Sequence, residues 1–253
     1  MATHFLNSNV IWLNSVDSTN EEAKRRIKDF SKPTWIISKK QSKGKGRNGK
    51  SWFSSEGNFS GSLVFFPNVE RSQLHLYGFF SGVALYNTLK KILKDGTDIV
   101  LKWPNDLLIE NGKVAGILLE SVYTNKNSSI GLIIGVGVNL NTAPSLAINS
   151  DFKHNAECVA NFTNEKINLV SFFRTFNKEL IKLEAYIEEK KIHTILKLWQ
   201  TRSYEKGSII KFSGKKGELN SGIFLGLDEI GGLIVGKGSG VKKIYSGDVY
   251  FGS

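Results

Sequence analysis

The chain has 253 residues, 40% of them hydrophobic, enough for one large domain or a large and a small one around a buried core. Its formal charge of +11 suits an anionic partner, and charge alone does not choose between nucleic acid and small anionic substrates. No run approaches the ~18 apolar residues of a membrane span, and Met1 to Val10 lack the pattern of a secretory leader, so a soluble, cytoplasmic protein is expected. The single cysteine, Cys158, excludes an internal disulfide, and His4, His75, His154 and His193 lie too far apart in sequence to suggest a zinc site.

Ser18-Thr19-Asn20-Glu21 reads as a capping box that starts a helix over Asn20 to Phe30, and a strand follows at Thr34 to Ser38. Lys39 to Asn58 has neither hydrophobic period; it is a loop long enough to be functional or mobile, and its stretch up to Lys50 carries Lys39, Lys40, Lys43, Lys45, Arg47 and Lys50. Phe59 to Phe66 returns to strand character. From Ser72 to Lys94, apolar residues recur at helical spacing and predict a helix packed on a sheet. Asn111-Gly112 between two apolar runs signals a two-residue hairpin within Leu107 to Leu119, and Ile130 to Val138 is a further strand.

Leu169 to Glu189 and Ile192 to Trp199 show helical periodicity. After Tyr204, short strands with glycine turns (Gly207 to Phe212, Gly222 to Leu227, Gly232 to Val235, Lys242 to Tyr245, Asp248 to Phe251) suggest a small β-barrel. The fold class is therefore α+β: a mixed β-sheet with helices over residues 1–202, then a small barrel over 203–253.

Gly44-Lys45-Gly46-Arg47-Asn48-Gly49-Lys50-Ser51 matches a P-loop pattern, and its first six residues match a dinucleotide fingerprint. Both motifs need a strand running directly into the glycines and a helix starting at their end, because the helix N-terminus holds the phosphate. Here five polar or basic residues separate Ser38 from Gly44, and Trp52 to Asn58 does not read as a helix start. Neither nucleotide motif is supported, and a solvated charged loop remains an open alternative for this segment.

Five segments, in order, resemble the biotin–protein ligase family: Asp17-Ser18-Thr19-Asn20; Gln41 to Trp52; Lys102-Trp103-Pro104-Asn105-Asp106; Lys113-Val114-Ala115-Gly116-Ile117-Leu118-Leu119-Glu120; and Gly135-Val136-Gly137-Val138-Asn139. The resemblance covers most of Ser15 to Asn141. It implies a class II synthetase-like catalytic domain with an SH3-like C-terminal barrel, and an enzyme that activates biotin with ATP and magnesium. Biotinyl-5′-AMP forms, pyrophosphate leaves, and biotin passes to a lysine of a biotin carboxyl carrier protein or carboxylase subunit. The chain begins only a few residues before Asp17, so a form without the N-terminal DNA-binding repressor domain is expected, acting as monomer or homodimer away from DNA and membranes. One departure lies in the loop, where Lys45, Asn48 and Lys50 stand at positions that are commonly arginine in the family; lysine keeps the charge but loses the planar fork.

The resemblance assigns Lys113, Arg47 and Asp106 to catalysis. Two anions, a carboxylate and an α-phosphate, approach only where fixed cations offset their repulsion, which Arg47 and Lys113 suit. Asp106 is the candidate to hold the metal-bound nucleotide and to steer or deprotonate the acceptor lysine; a turn-capping aspartate is the alternative. Biotin is assigned Ser18, Thr19, Asn20, Gln41, Lys45, Gly46, Arg47, Lys113 and Gly116, because neutral polar side chains suit an uncharged ureido ring and glycine admits it to the backbone. ATP is assigned Arg47, Trp52, Lys102, Asn105, Asp106, Lys113 and Asn139. Capping for Ser18, an exposed position past a hairpin for Lys113, core packing for Trp52 and a strand-ending turn for Asn139 stay open. The rivals are a lipoate ligase or octanoyl transferase, and a basic nucleic-acid-binding module.

Overall fold

A computed structural model describes residues 5–124, 130–144, 156–188, 191–213, 219–238 and 240–251. His4, His154 and Glu189 lie outside them. The first sheet has seven strands, β1 (Asn9–Leu13), β2 (Thr34–Ser38), β3 (Phe59–Phe65), β4 (Ile99–Lys102), β5 (Asp106–Ile109), β6 (Gly112–Tyr123) and β7 (Ile130–Val138), in the order β1-β2-β3-β7-β6-β5-β4. Only β1 and β2 pair in parallel; the other ladders are antiparallel, so the sheet is mixed as expected.

Strand alternation sorts side chains to two faces. Trp35, Ile37, Leu63, Phe65, Leu132, Ile134, Val136 and Val138 enter the large core. That core is closed by α2 (Leu76–Leu89), α3 (Leu169–Glu188) and α4 (Ile192–Gln200). Ile36, Val64 and Ile133 point to the opposite face, under Ala23 of α1 (Thr19–Arg26) and Ile27. Four rings, Trp35, Phe59, Phe173 and Phe176, pack edge to face or stacked between sheet and α3, and the Trp35 indole donates to Asn177 Oδ1 at 2.9 Å. Helix α2 is buried on nearly every side because it is wedged between the sheet and the other two helices, which is why its sequence is apolar all round.

Several boundaries differ from the sequence expectation. The predicted capping box does not form: Ser18 precedes α1 in extended conformation without a side-chain cap, since Glu21 turns instead to Lys24 at 2.9 Å and Lys45 at 2.8 Å. The helix expected over 72–94 is α over Leu76–Leu89 only, with a 3-10 turn at Arg71–Gln73 before it. The hairpin turn sits one residue early. Glu110 (φ 46°) and Asn111 (φ 66°) are its central pair, and Gly112 pairs with Ile109. Glycine is still required at 112, where a Cβ would lie 2.5 Å from that of Glu157.

The last strands, β8 (Ile209–Ser213), β9 (Leu219–Leu227), β10 (Leu233–Lys237), β11 (Gly240–Ile244) and β12 (Val249–Phe251), form an antiparallel sheet in the order β11-β10-β9-β8-β12. Among the described residues no ladder joins β11 to β12; the five antiparallel strands are consistent with the small SH3-like barrel expected from the sequence. Its buried side chains, such as Phe212, Phe224 and Val235, belong to the same apolar cluster as the large sheet and its helices. Polar contacts cross the same seam: the Trp103 indole donates to Gly231 O at 3.0 Å, and Leu227 N donates to Gln200 Oε1 at 3.0 Å.

Candidate active site

A cleft with about 160 Å³ of water-accessible volume opens over the α1 face of the sheet, where β6 and β7 run beside the 44–52 loop, the β4–β5 turn and β12. Its floor is glycine. Alternation along β7 places Gly135 and Gly137 on this face, and register pairs Gly137 with Gly116 of β6. A Cβ at Gly135 would lie 2.2 Å from Asn20 Oδ1, and one at Gly137 would lie 2.4 Å from the Trp52 ring. The missing side chains thus leave the exact space that Asn20 and Trp52 occupy.

One wall is neutral and polar. Ser18, Thr19 and Asn20, at the start of α1, are each less than 5% exposed. Gln41 Oε1 accepts from Thr19 N at 2.7 Å and from the Thr19 hydroxyl at 3.1 Å. Ser62 Oγ donates to Asn20 Oδ1 at 2.5 Å, and Asn20 Nδ2 donates to Glu120 Oε2 at 2.9 Å, with Lys24 closing the chain at 2.7 Å from Glu120. Thr19, Asn20 and Gln41 are each fixed by a partner distant in sequence, so their hydrogen-bonding groups are held ready for a ligand.

The opposite wall is cationic. Lys113 would face the core if β6 alternated strictly from Ala115. A bulge opposite Leu107 and Leu108 admits Val114 as an extra residue and turns Lys113 to the cleft, beside Gly116. Its ammonium lies 2.7 Å from Asp106 Oδ1 and 5.8 Å from the Trp52 ring centroid. Arg47 donates to Asn105 Oδ1 at 3.1 Å, and Asn105 Nδ2 donates to Ile117 O at 2.8 Å, tying the loop to β6. Asp106 and Asn105 follow a cis Trp103-Pro104 peptide in the tight β4–β5 turn.

Lys102, 4% exposed at the end of β4, lies 5.1 Å from the Tyr250 ring centroid. Burial pushes its pKa down to about 8, against the pull of Asp106 and with the push of Lys113. It therefore loses its charge as pH rises through about 8; with Lys102 on the ATP phosphates, as the resemblance implies, ATP affinity is expected to fall about tenfold between pH 7 and pH 9. A Lys102→Met variant should bind weakly with a flattened pH profile; an unchanged profile in calorimetric titration would remove Lys102 from the phosphate site. Because the folded pKa lies below the unfolded value of about 10.4, the unfolded chain holds more protons between the two, and this group adds stability with rising pH there.

The basic loop is folded. Gly46 N bonds Lys50 O at 2.7 Å and Trp52 N bonds Gly44 O at 2.9 Å, making a small hairpin with a 3-10 turn at Arg47–Gly49. No helix begins after it, so the P-loop and dinucleotide patterns stay without their structural context. Gly44 is needed for close approach, since a Cβ there would meet Trp52 O at 2.4 Å. Asn48 takes φ 55°, a conformation asparagine tolerates better than most residues.

All the residues singled out for binding or catalysis line this cleft except Asn139. Asn139 lies behind Trp52 and Lys113 in a small adjoining pocket, and its Nδ2 donates to Glu157 O at 3.0 Å. Sequence reasoning did not select Gly135, Gly137, Lys50, Asp248 or Tyr250, which line the cleft too. The two glycines were within reach of it, because counting by twos from Ile133 marks them as one face; Asp248 and Tyr250 come from the far end of the chain and carry no local signal.

Fold and cleft together define an α+β enzyme in which a neutral hydrogen-bonding wall faces a cationic one. The model for the biotin/lipoate A/B protein ligase family matches residues 12–139, and that for the biotin protein ligase C-terminal domain matches 207–252. The chain is 31% identical over 237 residues to a biotin–[acetyl-CoA-carboxylase] ligase of Paracoccus denitrificans, covering 93% of this chain and 98% of that one. It is 28% identical to the bifunctional ligase/repressor BirA of Bacillus subtilis (strain 168), covering 100% of this chain and 77% of the relative. Biotin protein ligase from Aquifex aeolicus, solved in complex with biotin and ATP, superposes with a TM-score of 0.80 at 28% identity over 96% of this chain and 98% of that one. The chain belongs to the biotin/lipoate A/B protein ligase family.

Proposed function

We propose that this chain is a biotin protein ligase whose cleft holds biotin against the neutral wall and ATP against the cationic one. The observation that carries the reading is the pairing of the two walls across a glycine floor: Thr19, Asn20 and Gln41 suit the uncharged ureido ring, and Lys113, Arg47 and Lys102 suit a carboxylate beside a phosphate. The biotin carboxylate attacks the α-phosphorus, the bond to the β-phosphate oxygen breaks, and pyrophosphate leaves. Lys113 and Arg47 hold the two anions together and offset the charge that develops. In the second half, the acceptor amine attacks the acyl carbon and AMP departs; Asp106 is placed to orient the incoming ammonium and accept its proton.

Among the described residues no three His, Cys, Asp or Glu side chains gather into a metal site. Magnesium accompanying ATP needs only one or two carboxylates beside phosphate oxygens, and Asp106, with a buried Oδ1 that accepts no well-directed hydrogen bond, meets that demand. When bound, magnesium would supply charge neutralisation on the phosphates. The acceptor is a biotin carboxyl carrier protein or a carboxylase subunit, the compartment is the cytoplasm, and residues 1–202 and 203–253 are the catalytic and C-terminal units. No helix among the described residues is long and apolar enough to cross a membrane. Asn139 is retained as a nucleotide-side residue through its place behind Trp52.

Pyrophosphate release with magnesium, ATP and biotin, compared with lipoate and octanoate, tests the reading. Release specific to biotin supports it, whereas release specific to lipoate or octanoate would assign the chain to the other branch of the family. Arg47→Gly is expected to keep making the adenylate while releasing free biotinyl-AMP, because Arg47 ties the loop across the cleft to Asn105. Normal ligation without free adenylate in that variant would refute the role.

A further inference from the structure

The cleft contains a carboxylate that the reaction does not explain. Asp248 precedes β12, and its backbone is clamped to β8: Asp248 N donates to Ser213 Oγ at 3.0 Å and Ser213 N donates to Asp248 O at 3.1 Å. Its side chain is thereby aimed at the loop, where Oδ2 accepts from Lys50 Nζ at 2.9 Å. Burial pushes the Asp248 carboxyl up, yet Lys50, with Arg47 and Lys102 beyond it, holds it below the usual carboxylate range. The cations acting on Asp248 are thus cations of the phosphate-binding wall.

Stability does not explain this pair. Lys50 is 50% and Asp248 33% exposed at the side chain, and ion pairs that open to water contribute little. Its effect is electrical. The cleft crowds Lys50, Arg47, Lys102 and Lys113 on one side, and Asp248 supplies a fixed negative charge among them.

The geometry points to Asp248 as an internal counter-ion that competes with the nucleotide's phosphates for Lys50 and its neighbours. It sets the affinity for ATP from below, and it rests on the reading of the cleft as an ATP site. A phosphate chain entering this wall takes Lys50 from Asp248 and leaves the two anions repelling one another, so the carboxylate weakens nucleotide binding. Asp248 acts through Lys50 and touches no reacting atom, which makes it a positioning residue.

Calorimetric titration of magnesium and ATP into the full chain tests this without requiring turnover. Asp248→Asn is expected to bind ATP about three- to fivefold more tightly at low salt, with the gain shrinking as ionic strength rises. Asp248→Ser should do the same, Asp248→Glu should keep the original affinity, and Lys50→Gln should reduce both the affinity and the effect of Asp248→Asn. Biotin affinity should stay within twofold, which a general loosening of the fold would not allow. Unchanged or weaker ATP binding in both neutral variants would overturn the proposal; weaker binding would instead make Asp248 a ligand of magnesium. Biotin-dependent pyrophosphate release by the unsubstituted chain, measured in parallel, separates failure of the ligase reading from failure of the counter-ion: tighter ATP binding without that release would leave the counter-ion standing and the ligase reading refuted.

Discussion

Lys113→Gln is expected to lower biotin-dependent pyrophosphate release by about 10²–10³-fold, the loss typical of removing one preorganised electrostatic contact to a developing charge. Glutamine is one atom shorter but keeps a hydrogen-bonding end group, so the main loss is the cation. In the structure that cation lies 2.7 Å from Asp106 Oδ1, over Trp52 and beside Gly116, where the two walls of the cleft meet. On the proposed reading this is where a carboxylate and an α-phosphate are brought together, and among the described residues Lys113 is the ammonium paired with Asp106. Lys113→Arg keeps the charge but spreads it over a larger planar group in a confined place, and intermediate activity is expected. Single-turnover measurement of biotinyl-AMP formation separates the chemical step from binding. A loss under tenfold in Lys113→Gln would assign the main catalytic charge to Arg47 or Lys102.

The second large effect is expected from one methyl group. Gly135→Ala places a Cβ 2.2 Å from Asn20 Oδ1, and Asn20 cannot simply turn aside, being 4% exposed and bonded to both Ser62 and Glu120. Relief requires displacing the start of α1, and with it Thr19 and its bond to Gln41. Displacement of a positioning wall on the scale of an ångström costs about 10²-fold in kcat/KM. Overpacking should also lower stability by roughly 1–3 kcal/mol. The loss is expected in kcat/KM for biotin with little change in KM for ATP. Gly137→Ala, whose Cβ would press on Trp52, should show the reverse preference, affecting ATP first. Steady-state kinetics with each substrate varied in turn checks both. A Gly135→Ala enzyme with biotin KM within twofold of the parent would show that the neutral wall does not seat the ligand.

Strands β2, β3 and β7 are legible in the sequence because their apolar runs are bounded by polar or glycine-bearing segments. Helix α3 is legible through its period. The ends of α2 are not, because apolar spacing continues beyond Leu89 into turns whose partly buried Ile92 and Leu93 pack against the core. The capping box failed for a different reason. Local pattern allowed Glu21 to reach back to Ser18, but Lys45, 24 residues away, competes for the same carboxylate and wins it. The hairpin turn shifted because Gly112 serves a neighbour, Glu157, that no local pattern reveals.

The sequence by itself determined the mixed α+β class, the family resemblance through five ordered segments, and most of the residues that line the cleft. The class follows from local periodicity, and the cleft residues from the resemblance of those five segments to the family; both are read along the chain. Only the tertiary structure decided which of those side chains face one another. The β6 bulge that turns Lys113 into the site, the glycine floor under Asn20 and Trp52, and the separation of Asn139 behind Trp52 all depend on strand register. The contributions of Asp248 and Tyr250 depend on their contacts with Lys50, 198 residues before Asp248, and with Lys102. Register and long-range packing minimise the free energy of the whole fold, so no window of sequence contains them.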